Sequence, residues 1–257
     1  METIILAGGR GTRLSEETHI KPKPMIHIGG KPIIWHIMNI YDTYGFKEFF
    51  IALGYKGEVI KEYFLNYCNM HSDLSISLKT GEINAYKKCP HDWKVHLVDT
   101  GSDTNTGGRI LRLKKNLKGE TFMLTYGDGI ANVHLKNLLK FHRSHRKIAT
   151  ITAIRPVARF GEVKFNVNEV VEFREKHQIE AGWINGGFFI LEPSIFDYIK
   201  DDDTDFEQQI LPRLAKDNQL MAYKHDGFWQ CMDTLRDKLY LEGLWKKNNA
   251  PWKIWES

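Results

Sequence analysis

Thr3-Ile4-Ile5-Leu6-Ala7-Gly8-Gly9-Arg10-Gly11-Thr12-Arg13-Leu14 takes the chain from a short apolar strand directly into a glycine-rich, cationic loop. A proline-punctuated basic segment, Lys21-Pro22-Lys23-Pro24-Met25, follows at once. Glycine has no Cβ, so the backbone after the strand can bend tightly and approach a ligand closely. Bare N–H groups there can point at phosphate oxygens while Arg13 and Lys23 neutralise the charge. A turn that merely reverses the chain needs glycines but no cations. Thr12, Arg13 and Lys23 in one short span therefore point to a polyphosphate site. Two better-known phosphate loops are excluded. No segment supplies the glycine and Gly-Lys-Ser/Thr spacing of a Walker A loop. Leu14 stands where the dinucleotide fingerprint needs its third glycine.

From this loop onward strands and helices alternate, which predicts a mostly parallel sheet covered by helices. Predicted strands are Thr3–Ala7, Glu48–Leu53, Thr121–Tyr126, Ala149–Arg155 and Trp183–Leu191. Leu74–Leu78 alternates as a half-exposed strand, with Trp93–Val98 as its expected partner, and Glu162–Phe165 with Val170–Arg174 reads as a hairpin. Helices are expected over Pro32–Tyr44, Glu58–Asn66, Leu135–His145, Phe206–Lys216 and Thr234–Lys247. Neither a repeat nor a linker interrupts the pattern, so residues 1–257 read as a single domain. In open α/β sheets ligands lie beyond the carboxyl ends of the strands. Gly8 to Arg13 and Asp128 both follow predicted strands and would share that edge.

With 257 residues, 42% hydrophobic and 26% charged, the chain has the composition of an ordinary globular protein. A net charge of +4, with Lys and Arg scattered, gives no support to nucleic-acid binding. It suits anionic small substrates. Cys68, Cys89 and Cys231 fit neither a disulfide framework nor zinc-ligand spacing, so unpaired thiols in a reducing cytoplasm are expected. No apolar run is long enough to span a bilayer, and the start lacks a signal peptide's pattern, so no membrane association is expected. His142 and His145 lie among Lys and Arg, and read as a solvated helix face rather than a metal pair.

Leu-Ala-Gly-Gly-x-Gly-Thr-Arg-Leu over residues 6–14, with Lys23 eight residues before Lys31-Pro32, resembles the sugar-1-phosphate nucleotidyltransferases. The segments Lys21–Met25, Thr106–Arg109, Tyr126–Gly129, Trp183–Phe189 and Gly227–Asp237 resemble one branch of that family, which joins CTP to glucose 1-phosphate. The resemblance covers essentially the whole chain. It implies a single-domain, Rossmann-like, three-layer α/β/α fold with a mostly parallel mixed sheet and small β-hairpin additions. It also implies Mg²⁺ as cofactor, a homo-oligomer, and a bacterial cell-surface polysaccharide route.

Such a reaction needs no protein nucleophile, because the sugar phosphate oxygen attacks the α-phosphorus itself. Catalysis then rests on positioning, cations and metal. The resemblance assigns Leu6, Ala7, Gly8, Gly9, Arg10, Gly11, Thr12, Arg13, Lys23, Thr104, Arg109 and Asp128 to the nucleotide, with Arg13 and Lys23 catalytic. It assigns Glu175, Lys176, Asn185 and Gly186 to the sugar phosphate, and Asp128 with Asp233 to the metal. By themselves Asp128 reads as a turn aspartate and Asp233 as a helix N-cap. Without the resemblance, residues 104–109 read as a capped helix start with a solvated arginine. His177, where the family commonly has proline, and Gln208-Gln209-Ile210 depart from the branch. The competing readings are a nucleotidyltransferase for another sugar phosphate or NTP, a nucleotide-sugar-dependent glycosyltransferase, and a non-enzymatic nucleotide sensor. Joint retention of Arg13, Lys23, Asp128 and Asp233 argues against the sensor.

Overall fold

Alternation along the first strand, Glu2–Leu6, sets the layers of the molecule: Ile5 and Ala7 face one hydrophobic core, Ile4 and Leu6 the other. The neighbouring strand Glu48–Leu53 repeats the pattern, with Phe49, Ile51 and Leu53 on one side and Phe50 and Ala52 on the other. A strand buried on both faces must be covered by helices on both. The first core is closed by the helices Ile33–Asp42, Gly57–Leu65, Leu135–His145 and Leu235–Lys246, the second by Thr106–Leu113 and Leu211–Lys216. This computed structural model describes residues 1–11, 14–86, 89–156, 162–166, 169–174 and 182–256.

The central sheet runs Leu220–His225, Ala149–Ile154, Ile184–Leu191, Phe122–Tyr126, Glu2–Leu6, Glu48–Leu53, Lys94–Asp99. Only Ile184–Leu191 is antiparallel to its neighbours in this sheet. Its reversed direction brings its start to the other end of the sheet from theirs. The start of that strand, Asn185-Gly186-Gly187, lies at the same edge as the carboxyl ends of the others. Small antiparallel additions complete the fold, among them Glu162–Asn166 with Glu169–Arg174, as the sequence predicts.

Three expectations are corrected. Lys94–Asp99 is not the partner of Leu74–Ile76 but the edge strand of the main sheet, in register from Glu48↔Lys94 to Leu53↔Asp99. Leu74–Ile76 pairs instead with Ile83–Ala85, across a reversal where Gly81 adopts φ +74°. That hairpin returns the chain on itself, and Cys68 and Cys89 at its two ends form a disulfide with Cα atoms 4.7 Å apart. Unpaired thiols at these two positions were the wrong expectation, because a 21-residue separation hides the return. His142 is buried rather than solvated, with Nδ1 at 2.8 Å from Thr150 Oγ1 and Nε2 at 2.9 Å from Glu192 Oε1.

Candidate active site

Gly8 carries the loop away from the first strand under tight constraint. Its carbonyl accepts from Tyr55 N at 3.1 Å and from Arg109 Nη2 at 3.2 Å. A Cβ at Gly8 would stand 2.2 Å from Arg109 Nη1, so any side chain there would displace the guanidinium. Gly9, by contrast, is exposed, with open space where a Cβ would point. Gly11 adopts φ +62° and turns the chain. Arg10 pairs with Asp103 at 2.8 Å, linking the loop to the segment before Thr104. Thr12 and Arg13 lie outside the described residues, as do Glu175, Lys176 and His177.

Lys23 opens a short 3₁₀ turn, Lys23–Met25, behind Pro22 and is 7% exposed. Its ammonium donates to Asp128 Oδ2 at 2.9 Å and Asp233 Oδ1 at 2.6 Å. Burial by itself would lower the Lys23 pKa, but the two carboxylates outweigh it and the net shift is upward. Lys23 is therefore a firmly held cation. Lys21, two residues earlier, is only half-buried.

The carboxylates converge for a local reason. Asp128 follows Phe122–Tyr126 through Gly127, whose missing Cβ leaves room for Leu6 O and the Pro24 ring. Gly129–Ala131 then pairs antiparallel with Trp229–Cys231, and Met232 N donates to Asp128 O at 2.9 Å. That short ribbon sets Asp233 beside Asp128. Asp233 is not the helix cap: Thr234 is, in a capping box with Asp237. Asp237 Oδ2 also accepts from Asp233 N at 3.1 Å, which fixes the backbone behind the Asp233 carboxylate.

Asp128, Cys231 and Asp233 form the one group among the described residues able to hold a metal ion. Burial, with the charges of Asp128 and Asp233 added, pushes the Cys231 thiol well up, so it stays protonated. The donors offered are thus two hard carboxylates, and the Lys23 ammonium already sits between them as a cation. That chemistry fits Mg²⁺.

Arg109 is 5% exposed, not solvated. Nη1 donates to Leu53 O at 3.2 Å, Thr100 Oγ1 at 2.8 Å and Gly101 O at 2.6 Å, and Nη2 to Gly8 O and to Ser102 O at 3.3 Å. It is a strut under the glycine loop, joining three strand-end segments. The N–H groups of Gly107 and Gly108, at the head of the same helix, both donate to Thr204 O. Those two donors are committed within the protein. Thr104 is 9% exposed.

On the other side Asn185 donates from Nδ2 to Tyr126 Oη at 3.0 Å, and Gly186 O accepts from Trp229 Nε1 at 2.7 Å. Asn185, Gly186, Asp128, Asp233, Lys23 and Gly8 are therefore gathered at one sheet edge. Sequence reasoning overlooked Tyr126, Glu207, Cys231 and Asp237. Only Asp237 has a local signal, the Thr-x-x-Asp spacing of a capping box.

The nucleotidyl transferase family matches residues 2–240. The chain is 52% identical to the glucose-1-phosphate cytidylyltransferase of Salmonella typhimurium over all of both chains. It is 47% identical to a probable glucose-1-phosphate cytidylyltransferase of Bacillus subtilis over 99% of this chain and 100% of that one. The crystal structure of HddC from Yersinia pseudotuberculosis complexed with GMP-PN is 23% identical, covers 95% of this chain and 99% of its own, and superposes with a TM-score of 0.70. At that identity it supports the fold alone. Taken with the site geometry, these likenesses mean that the chain belongs to the nucleotidyl transferase family, in its glucose-1-phosphate cytidylyltransferase branch.

Proposed function

We propose that this enzyme transfers the CMP group of CTP to glucose 1-phosphate, giving CDP-glucose and pyrophosphate. The observation that carries the reading is the meeting of Lys23, Asp128 and Asp233 beside the Gly8–Gly11 loop, in a chain 52% identical end to end to a glucose-1-phosphate cytidylyltransferase.

A phosphate oxygen of glucose 1-phosphate attacks the α-phosphorus of CTP. The new P–O bond forms as the bond to the bridging oxygen of the β-phosphate breaks, and pyrophosphate leaves with that electron pair. Asp128 and Asp233 are the residues to hold Mg²⁺, which when bound neutralises charge on the phosphate oxygens. Lys23 exchanges its carboxylate partners for the α-phosphate or the attacking oxygen, and Arg13 grips the outer phosphates with its planar fork. Gly8, Gly9 and Gly11 let the backbone come close to the polyphosphate, and Arg109 holds that loop from below. Asn185 and Gly186, with Glu175 and Lys176, take the sugar phosphate.

Exposed Ile76, Leu78, Ile83 and Tyr86 on the small hairpin support a homo-oligomer. No helix among the described residues is long and apolar enough to cross a membrane. We read the enzyme as cytoplasmic.

Pyrophosphate release tests the reaction class. CTP with glucose 1-phosphate and Mg²⁺ should release one pyrophosphate per CDP-glucose formed, and added pyrophosphate should drive the reverse reaction. A nucleotide-sugar-dependent glycosyltransferase would release a nucleoside phosphate and no pyrophosphate.

A further inference from the structure

Phe206–Ile210 forms a single π-helical turn in the segment where Gln208-Gln209-Ile210 departs from the branch pattern. Asp205 caps it, accepting from Gln208 N at 2.6 Å, and Glu207 projects from its first turn. Glu207 touches two separate parts of the site. Its Oε2 accepts from Thr106 Oγ1 at 2.6 Å, and its Oε1 accepts from Tyr126 Oη at 2.6 Å. Thr106 heads the helix that carries Arg109. Tyr126 ends the strand that leads into Asp128 and is bonded in turn to Asn185.

A carboxylate only accepts, so this chain of bonds has one direction. The Tyr126 hydroxyl hydrogen must point at Glu207, which leaves its lone pair for Asn185 Nδ2. At its other end Asn185 Oδ1 accepts from Gly187 N at 2.8 Å. The Asn185 amide is thus held at both ends in one of its two flips, with one N–H and one lone pair left to meet a ligand. Tyr126 lies tightly against this segment: a Cβ at Gly187 would stand 2.5 Å from its ring, and Gly187 adopts φ +78°.

We infer that Glu207 is a positioning residue that couples the two substrate halves, holding Asn185 in register for the sugar hydroxyls through Tyr126 and fixing the head of the Arg109 helix through Thr106. The inference rests on the reading of Asn185 as a sugar-side residue. Glutamine at 207 removes the charge that both hydroxyls donate to and replaces one acceptor oxygen with an amide donor, so both contacts weaken. Phenylalanine at 126 would remove the Asn185 branch alone and leave Glu207–Thr106 intact.

Steady-state kinetics of Glu207→Gln, Tyr126→Phe and Asn185→Ala test this, with folding checked by circular dichroism and thermal melting. Loss of a single oriented hydrogen bond is expected to raise a KM about tenfold. Tyr126→Phe should raise the glucose 1-phosphate KM by about that factor and leave the CTP KM within about twofold. Glu207→Gln should raise both. Combining the two should raise the glucose 1-phosphate KM no further than Glu207→Gln alone, because both break one chain of bonds. If Asn185→Ala raises that KM while Tyr126→Phe and Glu207→Gln do not, the coupling through Glu207 is wrong and the sugar-side reading stands. If Asn185→Ala leaves it unchanged, both readings fall.

Discussion

Lys23 Nζ lies 2.6 Å from Asp233 Oδ1, although 210 residues separate the two in the chain. The contact joins the beginning of the protein to the segment before the helix Leu235–Lys246, and it exists because the Trp229–Cys231 ribbon folds back on Gly129–Ala131. One consequence concerns the neighbouring lysine. Lys23→Ala should lower kcat on the order of 10²–10³, as loss of a charge contact made chiefly in the transition state does. Lys21→Ala should change kcat/KM only modestly. Steady-state assays of both decide it, and a larger loss for Lys21 would overturn the assignment of Lys23.

Asp128→Ala and Asp233→Ala should each nearly abolish turnover, as should removal of Mg²⁺ by a chelator with restoration on re-addition. Each variant keeps one carboxylate beside Lys23, so thermal melting should show a folded protein. Full activity in either variant would remove that residue from the metal site.

Arg109 gives a prediction about stability as well as rate. Arg109→Ala removes the guanidinium contacts to Thr100 Oγ1, Gly101 O and Ser102 O, and leaves Gly8 O with Tyr55 N and Leu53 O with Thr100 as remaining donors. The expected loss in urea unfolding is on the order of 3 kcal/mol. Arg109→Lys should recover little, because an ammonium cannot span the same acceptors. Unchanged stability with a raised CTP KM would mean that Arg109 serves the nucleotide directly and not the loop.

His36 should make the fold sensitive to acid. It is fully buried, Trp252 Nε1 donates to its Nδ1 at 3.3 Å, and Nε2 lies at 2.9 Å from Ile28 O. Burial lowers its pKa to about 4 from the ordinary histidine value of 6.5. The unfolded chain therefore binds a proton first as pH falls, so the stabilisation present above 6.5 is lost between 6.5 and about 4. The full loss from this one group is on the order of 3 kcal/mol. Melting temperatures of the parent and His36→Gln across this range should diverge above pH 6 and converge towards pH 4. Parallel curves would exclude His36 as the source.

The first strand, its loop and Lys23 are legible in the sequence because each feature is local. An apolar run, bare glycines and fixed cations all fall within 25 residues. The hairpin of Glu162–Asn166 with Glu169–Arg174 is legible for the same reason. What stays hidden is set by distant pairing. Leu220–His225 and Lys94–Asp99 are edge strands whose partial exposure blurs the apolar signal, and only the sheet reveals their partners. Arg109 reads as a surface cation until Gly8 and Gly54 are seen to leave it space. Glu207 is invisible from sequence, because Thr106 and Tyr126 reach it across 101 and 81 residues.

Base choice separates cytidylyl transfer from the other nucleotidyl transfers. The chain should be offered equal CTP, UTP, dTTP, GTP and ATP with glucose 1-phosphate and Mg²⁺, and the products weighed by mass spectrometry at early times. CDP-glucose should dominate, with pyrophosphate in equal amount. A product mixture led by UDP-glucose or dTDP-glucose would contradict the assignment of this enzyme to cytidylyl transfer.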